Sequence, residues 1–555
     1  MGFNYKSNLF KSFLCVLLLL AITTTVFEYT IKIREPYFGD VSYNSNEWLT
    51  SSTVKFTKNW YRENPVSLKF AMLENPRSIE FPTLESRDPY TSYPPGTIIP
   101  IYIISKINQE EPSHALVMKY NRTNHFFIAF ILALIIFFFL LQLRIGHLNA
   151  FLFSIIPIMI ELLLPGTLYW HQNEFFSDQA IILPFVLFIF LEVIRSSVEK
   201  DSRSLTIITI FQAFLTFYGV LTDWFFVFVV FVVYIKRLIA SQIKWNNGKL
   251  NFIIESLKYW LMPIIAVFLF ILQVYMLNSV NKTISKFLER SGEYTGTSTG
   301  SWPFMDVILK NINYAYGNSV EYAFIISIFV LSGILIFLVF IYLKGEKVDD
   351  DVKKILYLIG MLIIPCILQI FVFKNHSALH QFSILKLSPF IATVPFILLP
   401  ILIYFILKNI CTITDQTAKK VKIIFLFIFL VSSSVSGVLI AQEHSQYKNV
   451  FQQVDGYCKD IGTSIERNTG YNDIVFSPDL QIPENPPELL SYSTKRVYKA
   501  NSLEEIKSKL PVTNEKYEIV ILFENKTGWN EIIDKSMLIK DGNHYYYVLD
   551  LKYLK

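Results

Sequence analysis

Asn46-Glu47-Trp48 opens and Tyr93-Pro94-Pro95-Gly96 closes a stretch, residues 46 to 96, that lies between the first two strongly hydrophobic segments of the chain. Loops of this length in compact proteins are functional or disordered. Trp48, Phe56, Trp60, Tyr61, Phe70, Phe81, Tyr90 and Tyr93 give this one apolar surface to bury, which argues against disorder. The stretch is therefore expected to fold onto a membrane domain as one wall of a cavity. From Glu47 to Tyr61, the residues Trp48, Val54, Phe56 and Trp60 recur at helical spacing and predict an amphipathic helix on the outer surface. Pro65, Pro76, Pro82 and Pro89 then cut the chain into short pieces, and Ile98 to Ile107 is a second apolar piece that returns to the interface.

Around this stretch the chain is 52% hydrophobic, 16% aromatic and 17% charged, with a mean hydropathy of +0.40. That excludes an ordinary soluble domain. Apolar runs of span length, roughly 17 to 25 residues, lie near 10–31, 126–143, 148–168, 180–194, 205–221, 222–240, 259–280, 322–343, 355–373, 386–407 and 423–441. The expected fold is an α-helical polytopic membrane protein of about eleven transmembrane helices with a small extracytoplasmic α/β domain at its end.

The net charge of +5 is distributed unevenly. Arg144, Arg195, Lys200, Arg203, Lys236, Arg237, Lys344, Lys347, Lys353, Lys354, Lys419, Lys420 and Lys422 fall in alternate loops, while the loops 169–179 and 218–223 carry no Lys or Arg. The positive-inside rule then places the amino terminus in the cytoplasm and both the opening loop and the tail outside, in a protein integral to the cytoplasmic membrane. The basic bias sets topology and implies no nucleic acid. Phe27-Glu28-Tyr29-Thr30 offers no small-residue cleavage site, so the first span is expected to be a retained anchor. Cys15, Cys366, Cys411 and Cys458 suggest neither a disulfide framework nor a metal cluster.

Two domains are expected: a membrane domain over 1–441, including a large first outer loop over 35–125, and a soluble α/β domain over 442–555. In the latter, 474–476, 518–523 and 545–549 predict strands, and 503–510 and 529–537 predict helices. There is no internal repeat and no Gly-rich phosphate loop.

Chemistry-bearing side chains concentrate on the predicted outer side: Asp40, Glu47, Arg87, Asp88, His171, Glu174, Asp178, Asp223, His376, His380 and Lys386. Converging ionisable groups at a membrane boundary suggest a site, although structural salt bridges and snorkelling side chains use the same residue types. A carboxylate beside a cationic pocket suits group transfer from a phosphate, the acid taking the acceptor's proton and Lys or Arg stabilising the departing phosphate. Glu47 and Asp178 are the acids; Arg87, Lys374 and Lys386 are the phosphate partners. Tyr93, His171 and Glu174 join them as substrate-binding candidates. His376 and His380, four residues apart, share a face if their loop is helical; without further ligands they point to hydrogen bonding rather than to metal.

This ordered pattern resembles the GT-C class of integral-membrane glycosyltransferases, in particular its protein O-mannosyltransferase and lipid A aminoarabinose transferase branch. Members of that branch carry an Asp-Glu pair after the first span, then a diproline, then an acid in the second outer loop. Asn46-Glu47, Tyr93-Pro94-Pro95-Gly96 and Asp178 stand at those places here. The resemblance implies inverting transfer of a sugar from a polyprenyl-phosphate donor to a lipid, glycan or protein acceptor. No nucleotide cofactor is expected, and no divalent metal is indicated. Glu47 becomes the base, with Asp40 as substitute, and Asp178 orients base or acceptor. The Gly, Ser and Thr run at 291–301 becomes a loop closing over the donor. Two departures stand out: Asn46 replaces the expected acid, and Tyr93 precedes the diproline where relatives carry Lys or His. The alternative is a transporter or flippase of lipid-linked sugars, which would place its binding residues at the midplane of repeated, broken helices.

Overall fold

Long apolar runs become helices in a bilayer because each backbone N–H and C=O must find its partner within the segment. A computed structural model describes residues 2–35, 48–198, 202–239, 249–292, 303–345, 347–410, 456–470, 472–511, 516–524, 529 and 536–549. Asp40, Asn46, Glu47, the Gly, Ser and Thr run beyond 292, the predicted span at 423–441 and the expected domain boundary at 441 lie outside these residues. The membrane part runs α1 (Gly2–Arg34), α2 (Trp48–Glu63), α3 (Ile99–Asn108), α4 (His114–Gln142), α5 (His147–Leu163), α6 (Pro165–Asn173), α7 (Ser177–Ala180), α8 (Ile182–Arg195) and α9 (Arg203–Thr222). It continues with α10 (Phe225–Ile239), α11 (Lys249–Met276), α12 (Val280–Ser291), α13 (Phe304–Tyr316), α14 (Asn318–Leu343), α15 (Asp350–Val372), α16 (Lys374–Leu379), α17 (Ser388–Thr393) and α18 (Leu399–Ile410).

Among the described residues eight segments are long and apolar enough to cross a membrane, or nine if the bent pair α5–α6 is one span. The expected span at 222–240 corresponds to α10, of which 15 residues are described; it is not among the eight. Helix starts follow ordinary capping. Ser113 Oγ accepts the Leu116 N–H at 3.2 Å, and Ser202 Oγ accepts that of Leu205 at 3.2 Å. At one end of the bundle the buried Glu192 of α8 accepts hydrogen bonds from Arg237 Nη2 at 2.5 Å and Lys236 Nζ at 3.0 Å of α10, and from Gln212 Nε2 of α9 at 3.0 Å. This pins three helices together there. At the other end the last described span is broken. A 3-10 stretch over Gln381–Leu387 precedes α17, and a π-helical turn over Val394–Leu398 joins α17 to α18. Residues Phe382 to Leu387 are buried, and burial is the condition under which irregular backbone persists at membrane depth.

The first loop has the expected order of helix, irregular chain, turn and helix, but α2 does not lie on the surface. Eleven of its residues, from Leu49 to Trp60, are buried. Phe56 packs against Tyr90 and Trp60 against Tyr102, and Trp60 Nε1 donates to Ala71 O at 2.8 Å. Its polar side meets the segment after α6, where Thr53 Oγ1 donates to Phe175 O at 2.9 Å. In this loop β1 (Met72–Leu73) pairs antiparallel with β2 (Pro89–Tyr90).

The C-terminal module is a five-stranded sheet in the order β4-β3-β5-β7-β6, with β3 (Ile474–Phe476), β4 (Val497–Tyr498), β5 (Ile519–Glu524), β6 (Ser536–Asp541) and β7 (His544–Leu549). β3 pairs parallel with β4 and β5, which makes its residues apolar on both faces. Val475, Val520 and Leu522 pack under the helices Tyr457–Asn468 and Pro487–Ser493. Phe476, Ile521 and Phe523 form the opposite face, joined by Ile79 of the first loop. The helix expected at 529–537 is corrected at its end, where Ser536 and Met537 open strand β6. The module sits on α2: Lys58 Nζ donates to Ser491 O at 2.8 Å, and Arg62 donates to Thr494 Oγ1 at 2.9 Å and Glu466 Oε1 at 3.0 Å.

Candidate active site

The diproline is the keystone of the site. Pro94 is extended, Pro95 starts a 3-10 turn over Pro95–Thr97, and the Ile98 N–H closes onto Pro95 O at 3.1 Å. Proline's fixed φ removes freedom from this turn, and the turn seats against the junction of α9 and α10. A Cβ on Gly96 would stand 2.4 Å from Leu221 O and 2.7 Å from Thr222 N. On the other flank Trp224 Nε1 donates to Ser92 O at 3.1 Å. The two contacts bracket Asp223, whose Oδ1 accepts the Phe225 N–H at 2.8 Å and starts α10. Gly96→Ala should thus push on main chain rather than on a yielding side chain. The expected cost is about 1–3 kcal/mol, with a turnover loss of about tenfold through displacement of Asp223; thermal unfolding and a transfer assay check the two effects separately.

Asp223 belongs to a buried triad. Lys386 Nζ, presented by the 3-10 stretch before α17, lies 2.8 Å from Asp178 Oδ1 and 2.8 Å from Asp223 Oδ2, and all three side chains are 1% exposed. Two main-chain anchors hold that stretch: Tyr316 Oη donates to Leu385 O at 3.0 Å, and Cys366 Sγ donates to Lys386 O at 3.1 Å. One ammonium serves two carboxyl groups, and the unit is unreachable to a ligand without movement.

Tyr93 separates the triad from a cavity. Its hydroxyl lies 3.1 Å from His376 Nε2, and the Arg290 guanidinium stands 4.4 Å from its ring centroid. Burial keeps the phenol well above its ordinary pKa. Burial, assisted by Arg290, His380 and Lys386, holds His376 well below its own. A neutral phenol and a neutral imidazole thus share one hydrogen bond. His380, whose ring is 4.7 Å from that of His376, is pushed down to about 4 by burial and by Arg290.

The cavity beyond has a volume of about 350 Å³ and is walled by α12, α16 and the chain from Glu74 to Ser92. Helix α12 is amphipathic: Val280, Ile284, Phe287 and Leu288 are exposed, whereas Lys282, Lys286, Glu289 and Arg290 line the cavity. An apolar face of this kind beside a bilayer lies in the interface. Lys282 pairs with Asp88, and Lys286 pairs with Glu289 at 2.7 Å.

The sequence candidates divide by place. Asp178 and Lys386 are bonded partners, and Tyr93, His376 and His380 cluster above them. Arg87, 2% exposed, makes a two-pronged pair with Glu63 at 2.8 Å on each nitrogen and donates to Asn75 O, away from the cavity lining. His171 is stacked on His125 at 4.9 Å inside the bundle, with Glu161 at 3.8 Å. Glu174 accepts from Tyr169 Oη at 3.2 Å. Glu47 and Asp40 lie outside the described residues. Arg290 is the residue sequence reasoning missed; the alternation of apolar and basic positions from Val280 to Arg290 was the visible signal. Among the described residues no group of three or more His, Cys, Asp or Glu is placed to hold a metal ion.

No protein-family model and no curated protein matches the chain. Solved membrane structures do resemble it. The archaeal oligosaccharyltransferase AglB from Archaeoglobus fulgidus, in complex with an inhibitory peptide and a dolichol-phosphate, superposes with a TM-score of 0.50 over 91% of this chain and 69% of its own, at 10% identity. ArnT from Cupriavidus metallidurans bound to undecaprenyl phosphate gives 0.50 over 96% and 97%, at 11% identity. The Archaeoglobus enzyme in its apo form gives 0.51 over 88% and 65%, at 11% identity. The chain has the fold of these GT-C membrane proteins: a helical bundle carrying a small sheet-containing module.

Proposed function

We propose that this protein is a membrane glycosyltransferase that moves a sugar from a polyprenyl-phosphate donor to an acceptor on the module side of the membrane, which the charge pattern makes extracytoplasmic. The observation that carries this is the position of Arg290, on an interfacial helix, at the wall of the cavity and over Tyr93. An amphipathic helix with an exposed apolar face suits the membrane interface, where its guanidinium would meet a lipid-borne phosphate. The dolichol-phosphate on AglB and the undecaprenyl phosphate on ArnT support the donor class.

In the reaction the acceptor atom attacks the anomeric carbon as the bond from that carbon to the phosphate oxygen breaks. A single displacement inverts the centre. Arg290, with Lys286 near it, receives the charge on the departing lipid phosphate. Glu47, or Asp40, takes the acceptor's proton. The described chain resumes at Trp48, which packs against Phe382 at 6.0 Å, four residues before Lys386. Asp178 and Asp223, held by Lys386, fix Tyr93 and the turn that presents it.

The test is reconstitution in liposomes with a polyprenyl-phosphate sugar labelled in the sugar. Label appearing on an acceptor with release of lipid phosphate supports transfer. Label that crosses to the other leaflet while still bonded to phosphate identifies a transporter and overturns the reading.

A further inference from the structure

Residues 64–71 form the tight apex of the first outer loop, and their backbone is strained. Asn64, Lys69 and Phe70 have φ of +70°, +51° and +57°, the left-handed region that glycine enters freely and in which a bulky side chain is an outlier. The Phe70 N–H closes onto Pro65 O at 2.7 Å and that of Lys69 onto Val66 O at 3.0 Å, with Leu68 buried inside the turn. Hydrogen bonds to the last turn of α11 hold this shape from outside: Lys69 Nζ donates to Met276 O at 2.7 Å, and Gln273 Nε2 donates to Lys69 O at 3.1 Å and to Phe70 O. Gln273 and Met276 end a segment long and apolar enough to cross a membrane, Phe252–Met276, and are about 4.5 Å apart along its axis. The apex is therefore tied at the level where that span leaves the bilayer.

What the held shape displays is apolar. Val66 is 68% and Phe70 47% exposed, and neither lines the cavity. The Phe70 ring meets Trp60 edge-on, at 5.8 Å between centroids, but a ring needed only for that contact would be covered. Tyr275 and Met276 at the end of α11, and Val280 and Ile284 at the start of α12, are exposed as well, so the apex extends the apolar margin of a span. The other arm of the loop goes elsewhere: Ile79 packs into the core of the C-terminal module. We propose that Val66 and Phe70 insert into the leaflet on the module side as an anchor, so that the first loop is held by the bilayer at its apex and by the module at Ile79. Backbone strain persists where the surroundings over-determine it, and it collects where it serves a function. Here it keeps an aromatic ring turned outward at the depth where such rings gather in membranes, while the Lys69 ammonium caps the carbonyl end of α11. From Phe70 the chain runs directly into β1 and Glu74, the first residue of the cavity wall, whose N–H donates to Asp88 O at 3.2 Å. The anchor thus sets the height of that wall against the membrane from which a lipid-borne donor arrives. This last step rests on the transfer reading above; the membrane contact does not.

The test is photochemical. The full-length protein, in vesicles of radiolabelled phosphatidylcholine, carries p-benzoylphenylalanine in place of Val66, of Phe70 or, as control, of Lys540, an exposed charged residue on the edge strand β6 of the module. Lipid adducts are expected at the positions of Val66 and Phe70 and not at that of Lys540. Adducts to a second copy of the chain, equal lipid labelling at all three positions, or no lipid adduct at the two apex positions in protein that melts as wild type would overturn the anchor, whatever the protein catalyses. The Val66 position, outside the left-handed residues, keeps the test decisive should replacement of Phe70 disturb folding. In the transfer assay Phe70→Gly, which suits the left-handed turn and removes the ring, should raise KM for the lipid donor severalfold with kcat held, and Phe70→Trp should keep the wild-type KM. Lipid adducts together with an unchanged KM in Phe70→Gly overturn the link to the cavity alone.

Discussion

Lys386→Met is expected to end measurable transfer and to lower stability by about 3–5 kcal/mol, the cost of removing one partner from a buried ion pair. The loss is large here because two carboxylates, Asp178 and Asp223, depend on the one ammonium at 2.8 Å each. They would face each other where each side chain is 1% exposed. Adding Asp178→Asn and Asp223→Asn to the variant removes the stranded charge and should restore most of the melting temperature without restoring transfer. That separation of fold from turnover identifies the triad as a positioning unit. Wild-type melting in Lys386→Met alone would show that the three groups do not act together.

Arg290→Ala should have the opposite signature. Helix α12 has no fully buried residue, and the substitution gives up the stacking of Arg290 on Tyr93, so the stability cost should be about 0.5–2 kcal/mol, below that of Lys386→Met. The cavity loses its guanidinium, and removal of one charge-stabilising donor from a transition state costs about 10²–10³-fold in kcat. Arg290→Lys keeps the charge but not the fork of donors and should recover part of that loss. Steady-state kinetics with the lipid donor, beside a melting curve, decide the matter. Unchanged kcat in Arg290→Ala would remove Arg290 from the reaction.

Much of this was legible from residue types and their order. The spans follow from apolar length, and the strands at 474–476, 519–524 and 544–549 from their β-branched and aromatic runs. Asp178 and Lys386 were visible as acids and bases at span ends. Their bond was not, because 208 positions separate them and pairing at that range is decided by packing. Arg87 illustrates the converse: it had the right chemistry in the right loop, yet the Glu63 carboxylate one helix away engages its fork. The burial of α2 was hidden for another reason. Thr50, Thr53 and Thr57 read as polar, but each hydroxyl donates to a main-chain carbonyl, at 3.3, 2.9 and 2.6 Å, so the polar side of the helix is as dry as its apolar side.

The wide separation of the triad has a consequence for how the protein is made. Asp178 leaves the ribosome 208 residues ahead of Lys386, which at about 5–20 residues per second is about 10–40 s of synthesis. Through that interval Asp178, joined later by Asp223, is at the end of a growing bundle with no Lys386 to pair with. The helices that carry them therefore cannot reach their final burial until the hairpin of α15 and the broken last span arrives. Completion of the membrane domain and formation of the triad are then one event, and a chain stalled before residue 386 holds its acids in water, open to the quality-control machinery of the membrane.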